Sequence, residues 1–226
     1  MLNDQQIERY SRHIILPEVG ARGQERLLSA AVAVVGDGHH AATAALYLAA
    51  GGIGVLAVSE AMRADLAEVN PDCHVVSLPP SIGAAEAAAI AQQHDVVVAC
   101  NAADDVTVEL NRACIAARTP LVWGRLTGSG GAAVVCAGDG AHGCHACLVG
   151  PAIAATEATC DITGVAAGFI ATVQATEAIK LILGVGEPLW GRVIIYDAGD
   201  ESVRQTTPAR DPRCALCGAE AARRST

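Results

Sequence analysis

The chain has 226 residues, 52% of them hydrophobic but only 3% aromatic, and a formal net charge of −9. That length carries one sizeable core, and a core of Ala, Val, Leu and Ile suits helices packed on a parallel sheet. The negative charge and the scatter of the basic residues exclude a nucleic-acid partner, whose phosphates demand clustered Lys and Arg.

In chain order, Asp4–Ile15 reads as a helix with Asn3 as its cap and Pro17 beyond its end. The run Ala31–Val35 is a buried strand, closed by glycines and followed by an Ala-rich helix over Ala41–Ala50. Gly54–Ser59, His74–Leu78 and Asp95–Cys100 supply further strands, with a helix over Ala84–Gln93 between the last two. Strands alternating with helices predict a parallel sheet with helical crossovers, a Rossmann-like α/β fold. Val106–Ala117 follows as a helix and Pro120–Trp123 as a strand. After the glycines of 128–131, Ala132–Cys136 begins an antiparallel extension. Ala166–Leu183 has the length of a buried helix, and Val193–Asp197 is read as a last strand before a polar tail. A single domain over 1–226 is expected: an N-terminal helical segment (1–30), a nucleotide-binding-like core (31–143) and a C-terminal part (144–226).

The most apolar runs, Ala44–Val58 and Ile162–Val173, fall short of the roughly 20 residues that span a bilayer, and Met1–Tyr10 lacks the basic and apolar regions of a secretory signal. A cytoplasmic protein without a membrane partner is expected. In a reducing cytosol the nine cysteines read as metal ligands, nucleophiles or small buried groups rather than disulfides. Cys144-His-Ala-Cys147 and Cys214-Ala-Leu-Cys217 are two CxxC turns, and four thiolates from such turns make the closed tetrahedral site of a structural zinc. Cys73, Cys100, Cys114 and Cys136 lie in or beside apolar segments, where burial is expected.

Three stretches, taken together, resemble the ThiF/MoeB/HesA group of ubiquitin-activating-enzyme-like proteins. Glu8–Pro17 with Gly23–Leu28 is similar to the group's opening segment, and Val34–Gly38 with Ala44–Ala50 to its nucleotide turn and first helix. Thr159–Val165 leading to Gln174–Gly184 is close to its C-terminal signature. The resemblance implies adenylation, with ATP and magnesium, of the C-terminal glycine of a small ubiquitin-fold sulfur carrier. It also implies a distant pairing of the two CxxC turns around zinc. Position by position, however, the ATP site is stripped. The glycine turn retains Gly36 and Gly38 but carries His39 and Ala41 where glycines are expected, and Asp37 adds negative charge beside the phosphates. The His39–His40 pair reads either as a turn relieved of its nucleotide or as an anion or metal site of its own. Glu60 matches the acidic residue for the ribose hydroxyls. The segment that should follow it, with its arginine and lysine, is missing. The expected magnesium aspartate is replaced in Cys100-Asn-Ala-Ala103, with Asp104 and Asp105 displaced from its position. Such electrostatic groups act as a unit in catalysis.

Cys160 matches the thiol that accepts the activated carrier in some members, and it reads equally as a positional relic. Arg12 matches a residue that dimers of the group insert into the partner's ATP site. The other reading is an exposed arginine held by an acidic neighbour such as Glu8. The resemblance also implies dimers, through the helix Val173–Leu183 and the Gly51–Gly54 turn, although the periodicity of that helix suits burial equally. Three functions follow: a non-adenylating partner or scaffold, in a homodimer or a heterodimer with an intact relative; an adenylyltransferase with a rearranged site; or a zinc-stabilised small-molecule or redox-binding protein.

Overall fold

The computed structural model describes residues 1–136, 141–153 and 163–218. The helices are α1 (Asp4–Arg9), α2 (Ser11–Ile14), α3 (Gly20–Ser29), α4 (Gly38–Gly51), α5 (Glu60–Ala67), α6 (Ala84–Gln93), α7 (Asp104–Ala117), α8 (His145–Ile153) and α9 (Thr163–Leu183). The strands are β1 (Ala31–Val35), β2 (Val55–Val58), β3 (His74–Ser77), β4 (Val96–Cys100), β5 (Leu121–Thr127), β6 (Gly130–Cys136), β7 (Val193–Asp197) and β8 (Ser202–Thr206). They form one sheet in the order β3-β2-β1-β4-β5-β6-β7-β8. β1 to β5 run parallel to their neighbours, and β6, β7 and β8 extend the sheet antiparallel. This is the Rossmann-like architecture with an antiparallel extension that the residue pattern predicts.

Successive side chains of a strand face opposite sides of the sheet. Val32 and Val34 therefore join α4 and α9 in one core, while Ala33 and Val35 join α6, α7 and α8 in the other. Alanine-rich helices make this possible, because Ala41, Ala44, Ala45 and Ala49 let α4 approach both the sheet and α9 closely. In length and composition Gly164–Leu183 is apolar enough to cross a membrane, beyond the Val173 limit read from the sequence. Its packing against α4, β5 and β6 and its buried Gln174 and Glu177 place it in the core of this fold.

Several elements depart from expectation. The helix expected over Asp4–Ile15 is broken at Tyr10, whose ring turns inward to 2% exposure while its hydroxyl donates to Asp72 at 3.0 Å. Asn3 does cap α1, its side chain accepting from the Gln6 N–H at 2.9 Å. β5 runs on to Thr127, and Gly130 and Gly131 belong to β6 rather than to the turn. A Cβ on Gly130 would lie 2.0 Å from the Tyr196 carbonyl oxygen, which explains a glycine inside a strand. The segment read as a polar tail contains β8, which among the described residues pairs only with β7 and carries its polar residues outward.

Candidate functional site

In an open α/β sheet the crevice lies beyond the carboxyl ends of the strands, where the strand order reverses. Here the reversal falls between β1 and β4, and a cleft of about 1210 Å³ opens there. Its floor is the turn after β1. Gly36 takes φ +134°, and a Cβ on it would lie 2.0 Å from the Cys100 carbonyl oxygen, so only glycine lets the turn lie against β4. Gly38, with φ +71°, begins α4 just behind.

Asp37, Glu60, Glu86 and Asp105 all line the cleft, and among the described lining residues there is no lysine or arginine. Glu60, at the start of α5, is already engaged: it accepts from the Ser77 hydroxyl and from Arg63 Nε at 3.1 Å. The Ser77 hydrogen bond and then the Arg63 contacts hold its carboxyl below the usual range. The displaced aspartates separate. Asp104 turns to Arg125, whereas Asp105 stays on the cleft wall. Asn101 sits at the end of β4 in the left-handed region, φ +52°, with Oδ1 accepting from the Leu126 N–H at 3.3 Å.

Behind the floor lies a polar hub that the residue pattern does not announce. Gln174 of α9 is fully buried, and its Nε2 donates to the carbonyls of Ala99 (2.9 Å) and Val122 (3.1 Å). That fixes its Oε1 as an acceptor, so His40 Nε2, 2.6 Å away, carries the proton. His40 Nδ1 is then a buried acceptor without a donor among the described residues. Burial pushes the imidazole below its ordinary value, with the Gln174 hydrogen bond opposing in part. Of the histidine pair only His39 faces solvent.

The two CxxC turns come together although Cys144 and Cys214 stand 70 positions apart. All four sulfurs lie within 4.8 Å of one another, with Cys144–Cys147 at 4.0 Å, Cys144–Cys214 at 3.8 Å and Cys147–Cys217 at 3.5 Å. A tetrahedron with metal–sulfur bonds of about 2.3 Å has edges of about 3.8 Å, so the donor set fits a zinc-sized ion. Burial raises the Cys144 thiol and pushes Cys147 up to about 11. Burial acts the same way on Cys214, but the backbone N–H groups of Cys217 and Leu216 overcome it and bring that thiol down to about 7. Cys73, Cys100, Cys114 and Cys136 are buried, as their apolar settings predict.

Arg12 lies exposed on α2, and Glu8 does not hold it: among the described residues it has no ion-pair or hydrogen-bond partner. The arginine that is held is Arg9, bound to Asp72. Arg12's neighbours dock at the C-terminal end of α4. Tyr10 packs beside Gly52, and His13 contacts Gln24, which donates to the Gly51 carbonyl. A 14-residue helix is about 20 Å long, so Arg12 stands a helix length away from the cleft of its own chain. Cys160 lies outside the described residues.

A model of the ThiF family matches residues 57–216. The chain is 31% identical to the sulfur carrier protein adenylyltransferase of Thermus thermophilus, over 97% of this chain and 94% of that protein. It is 36% identical to the SAMP-activating enzyme E1 of Haloferax volcanii, over 96% and 91%, and 32% identical to the molybdopterin-synthase adenylyltransferase of Escherichia coli, over 96% and 98%. These alignments run over 256, 250 and 248 positions, more than the 226 residues of the chain, so each relative carries segments without a counterpart here. Among solved structures, Escherichia coli MccB with ATP has a TM-score of 0.77 at 19% identity, over 96% of this chain and 75% of that one. PaaA has a TM-score of 0.75 at 18% identity, over 92% and 75%. At such identities the likeness is one of fold.

Proposed function

The chain belongs to the ThiF family, and from that premise we propose that it serves the activation of a small ubiquitin-fold or sulfur-carrier protein without adenylating that carrier itself. It acts as a partner or scaffold, in a homodimer or beside an intact relative. The observation that carries this reading is the cleft lined by Asp37, Glu60, Glu86 and Asp105 with no lysine or arginine among its described residues. A nucleotide triphosphate is a polyanion. Its transfer chemistry depends on cations aimed at the charge that develops in the transition state, and here Arg63 is committed to Glu60 and Arg125 to Asp104. Arg12, exposed and without an ion-pair partner among the described residues, is proposed as the group offered to a partner chain instead.

The second reading, an adenylyltransferase with a rearranged site, is favoured by the relatives, which bear adenylyltransferase names and align along nearly their whole length. Calorimetric titration of the zinc-loaded protein with magnesium-ATP up to millimolar concentrations separates the two. No saturable binding is expected. Saturable binding together with transfer of AMP to the C-terminal glycine of a carrier would establish the enzyme and overturn the partner role.

Cys144, Cys147, Cys214 and Cys217 are assigned a structural zinc on the strength of their sulfur spacing. Bound there, zinc supplies a closed crosslink between the start of α8 and the segment after β8. Four protein ligands leave no open position for substrate. The thiols must give up their protons to bind it, so occupancy rises with pH.

A further inference from the structure

Asn111 stands in the middle of α7, where its residue type is a weak helix former, yet its side chain is only 2% exposed. A buried amide in that position needs partners for both ends. One end has its partner: Oδ1 accepts from the backbone N–H of His145, the first residue of α8, at 3.0 Å. Because that contact requires an acceptor, it also fixes which side-chain atom is nitrogen. The other end, Nδ2, is fully buried and has no hydrogen-bond acceptor among the described residues. The residue whose carbonyl carbon is bonded to the His145 N–H is Cys144, itself fully buried, so the orphaned Nδ2 is held at the Cys144 end of α8. A neutral thiol is a poor acceptor and a thiolate a strong one. The unpaired N–H is therefore matched to the ionised, metal-bound form of Cys144.

We propose that Asn111 is a positioning residue of the metal site: its Nδ2–H donates to the Cys144 thiolate while its Oδ1 holds the amide that follows Cys144. The inference rests on the zinc assignment above. It gives the Cys144 thiolate a side-chain donor that is itself fixed by a contact to the same turn. It also joins two parts of the molecule. The first turn of α7 supplies Asp105 and Val106 to the wall of the cleft, and two turns on the same helix grips the metal site through Asn111.

The test begins with the unaltered protein, titrated with zinc and with cobalt against a competing chelator. Failure to take up one ion with thiolate-to-cobalt charge-transfer bands would overturn the zinc assignment, and the inference with it. If the ion binds, Asn111→Asp retains the acceptor for His145 but replaces the donor with a second negative charge. Asn111→Leu fills similar volume with neither hydrogen bond. Both are expected to bind zinc about 10–100-fold more weakly, the range found when a partner of a metal ligand is removed, with the melting temperature of the metal-free proteins recorded alongside. Affinity within twofold of the unaltered protein would overturn the role of Asn111, whatever the melting temperatures do. Should neither variant fold, the cadmium-113-loaded unaltered protein decides. A correlation between cadmium and a side-chain amide proton of Asn111 is expected, and its absence refutes the bond.

Discussion

Gln174→Leu retains the volume of a fully buried side chain and removes every hydrogen bond it makes. The strand carbonyls of Ala99 and Val122 lose one donor each, at about 1 kcal/mol or less apiece because a carbonyl has a second lone pair for the ladder. The larger loss is at His40, whose Nε2–H is left buried with no acceptor, costing about 1–3 kcal/mol. The sum is about 3 kcal/mol, and for a chain of this size each kcal/mol lowers Tm by about 2–4 °C. His40→Leu in the same protein removes the stranded donor. The double variant is therefore expected to be less destabilised than the two singles added, by about 1–2 kcal/mol. Acid adds an independent readout. His40 is held below its ordinary value of 6.5 by burial, so as pH falls through 6.5 the unfolded chain takes up the proton first. Stability is lost from there down to the lowered folded value, at up to about 1.4 kcal/mol per pH unit. Urea unfolding followed by circular dichroism at several pH values between 7.5 and 5 measures both effects. The difference between wild type and His40→Leu isolates this titration from that of the cysteines. Additive energies and an unchanged pH slope in His40→Leu would refute the assigned pairing.

Gly36→Ala should be severe, since the added methyl meets the Cys100 carbonyl oxygen at 2.0 Å on a backbone with φ +134°. A drop in Tm of more than about 10 °C or loss of soluble expression is expected, at several kcal/mol, and a Tm within a few degrees of wild type would contradict the turn geometry. Asp72→Asn removes the charge that gathers Gln6, Arg9 and the Tyr10 hydroxyl. Amide exchange should quicken across α1 and α2 and leave β1 and β4 protected; uniform quickening would mean that the N-terminal helices are not separately held.

The parallel half of the sheet was legible because its central strands are continuous apolar runs, as at Val32–Val35 and Val96–Cys100. What escaped depends on partners distant in sequence. The break at Tyr10 comes from Asp72 and Asn70. α3 is a mixed segment with Gly23 inside it, seated partly through Gln24 on the Gly51 carbonyl. β8 has no apolar face to mark it, and α8 begins inside a cysteine turn. At the cleft, Gly36 and Glu60 could be read from their place in a strand–turn–helix unit. The contribution of Glu86 could not, because it looks like an ordinary acidic residue in the first turn of a helix, and which of Asp104 and Asp105 stays on the cleft wall is decided by the distant Arg125. Asn111 was hidden for a similar reason: a single polar residue in an amphipathic helix carries no sign of being buried.

The place of β8 at the rim bears on how the protein behaves in concentrated solution. A terminal strand leaves one row of its peptide groups without sheet partners, and a flat, apolar row of that kind invites another copy to add to it and so to grow fibres. Here the rim is Ser202-Val-Arg-Gln-Thr206, with Arg204 and Gln205 exposed and Pro208 two positions beyond the strand. Charge on the rim and a residue without an N–H just past it discourage that growth. The cysteine turn at Cys214 and Cys217 then ties the segment after β8 to Cys144 and Cys147 at the start of α8. Removal of the proposed zinc would undo that tie, so turbidity on storage with a chelator is where its contribution would first be seen.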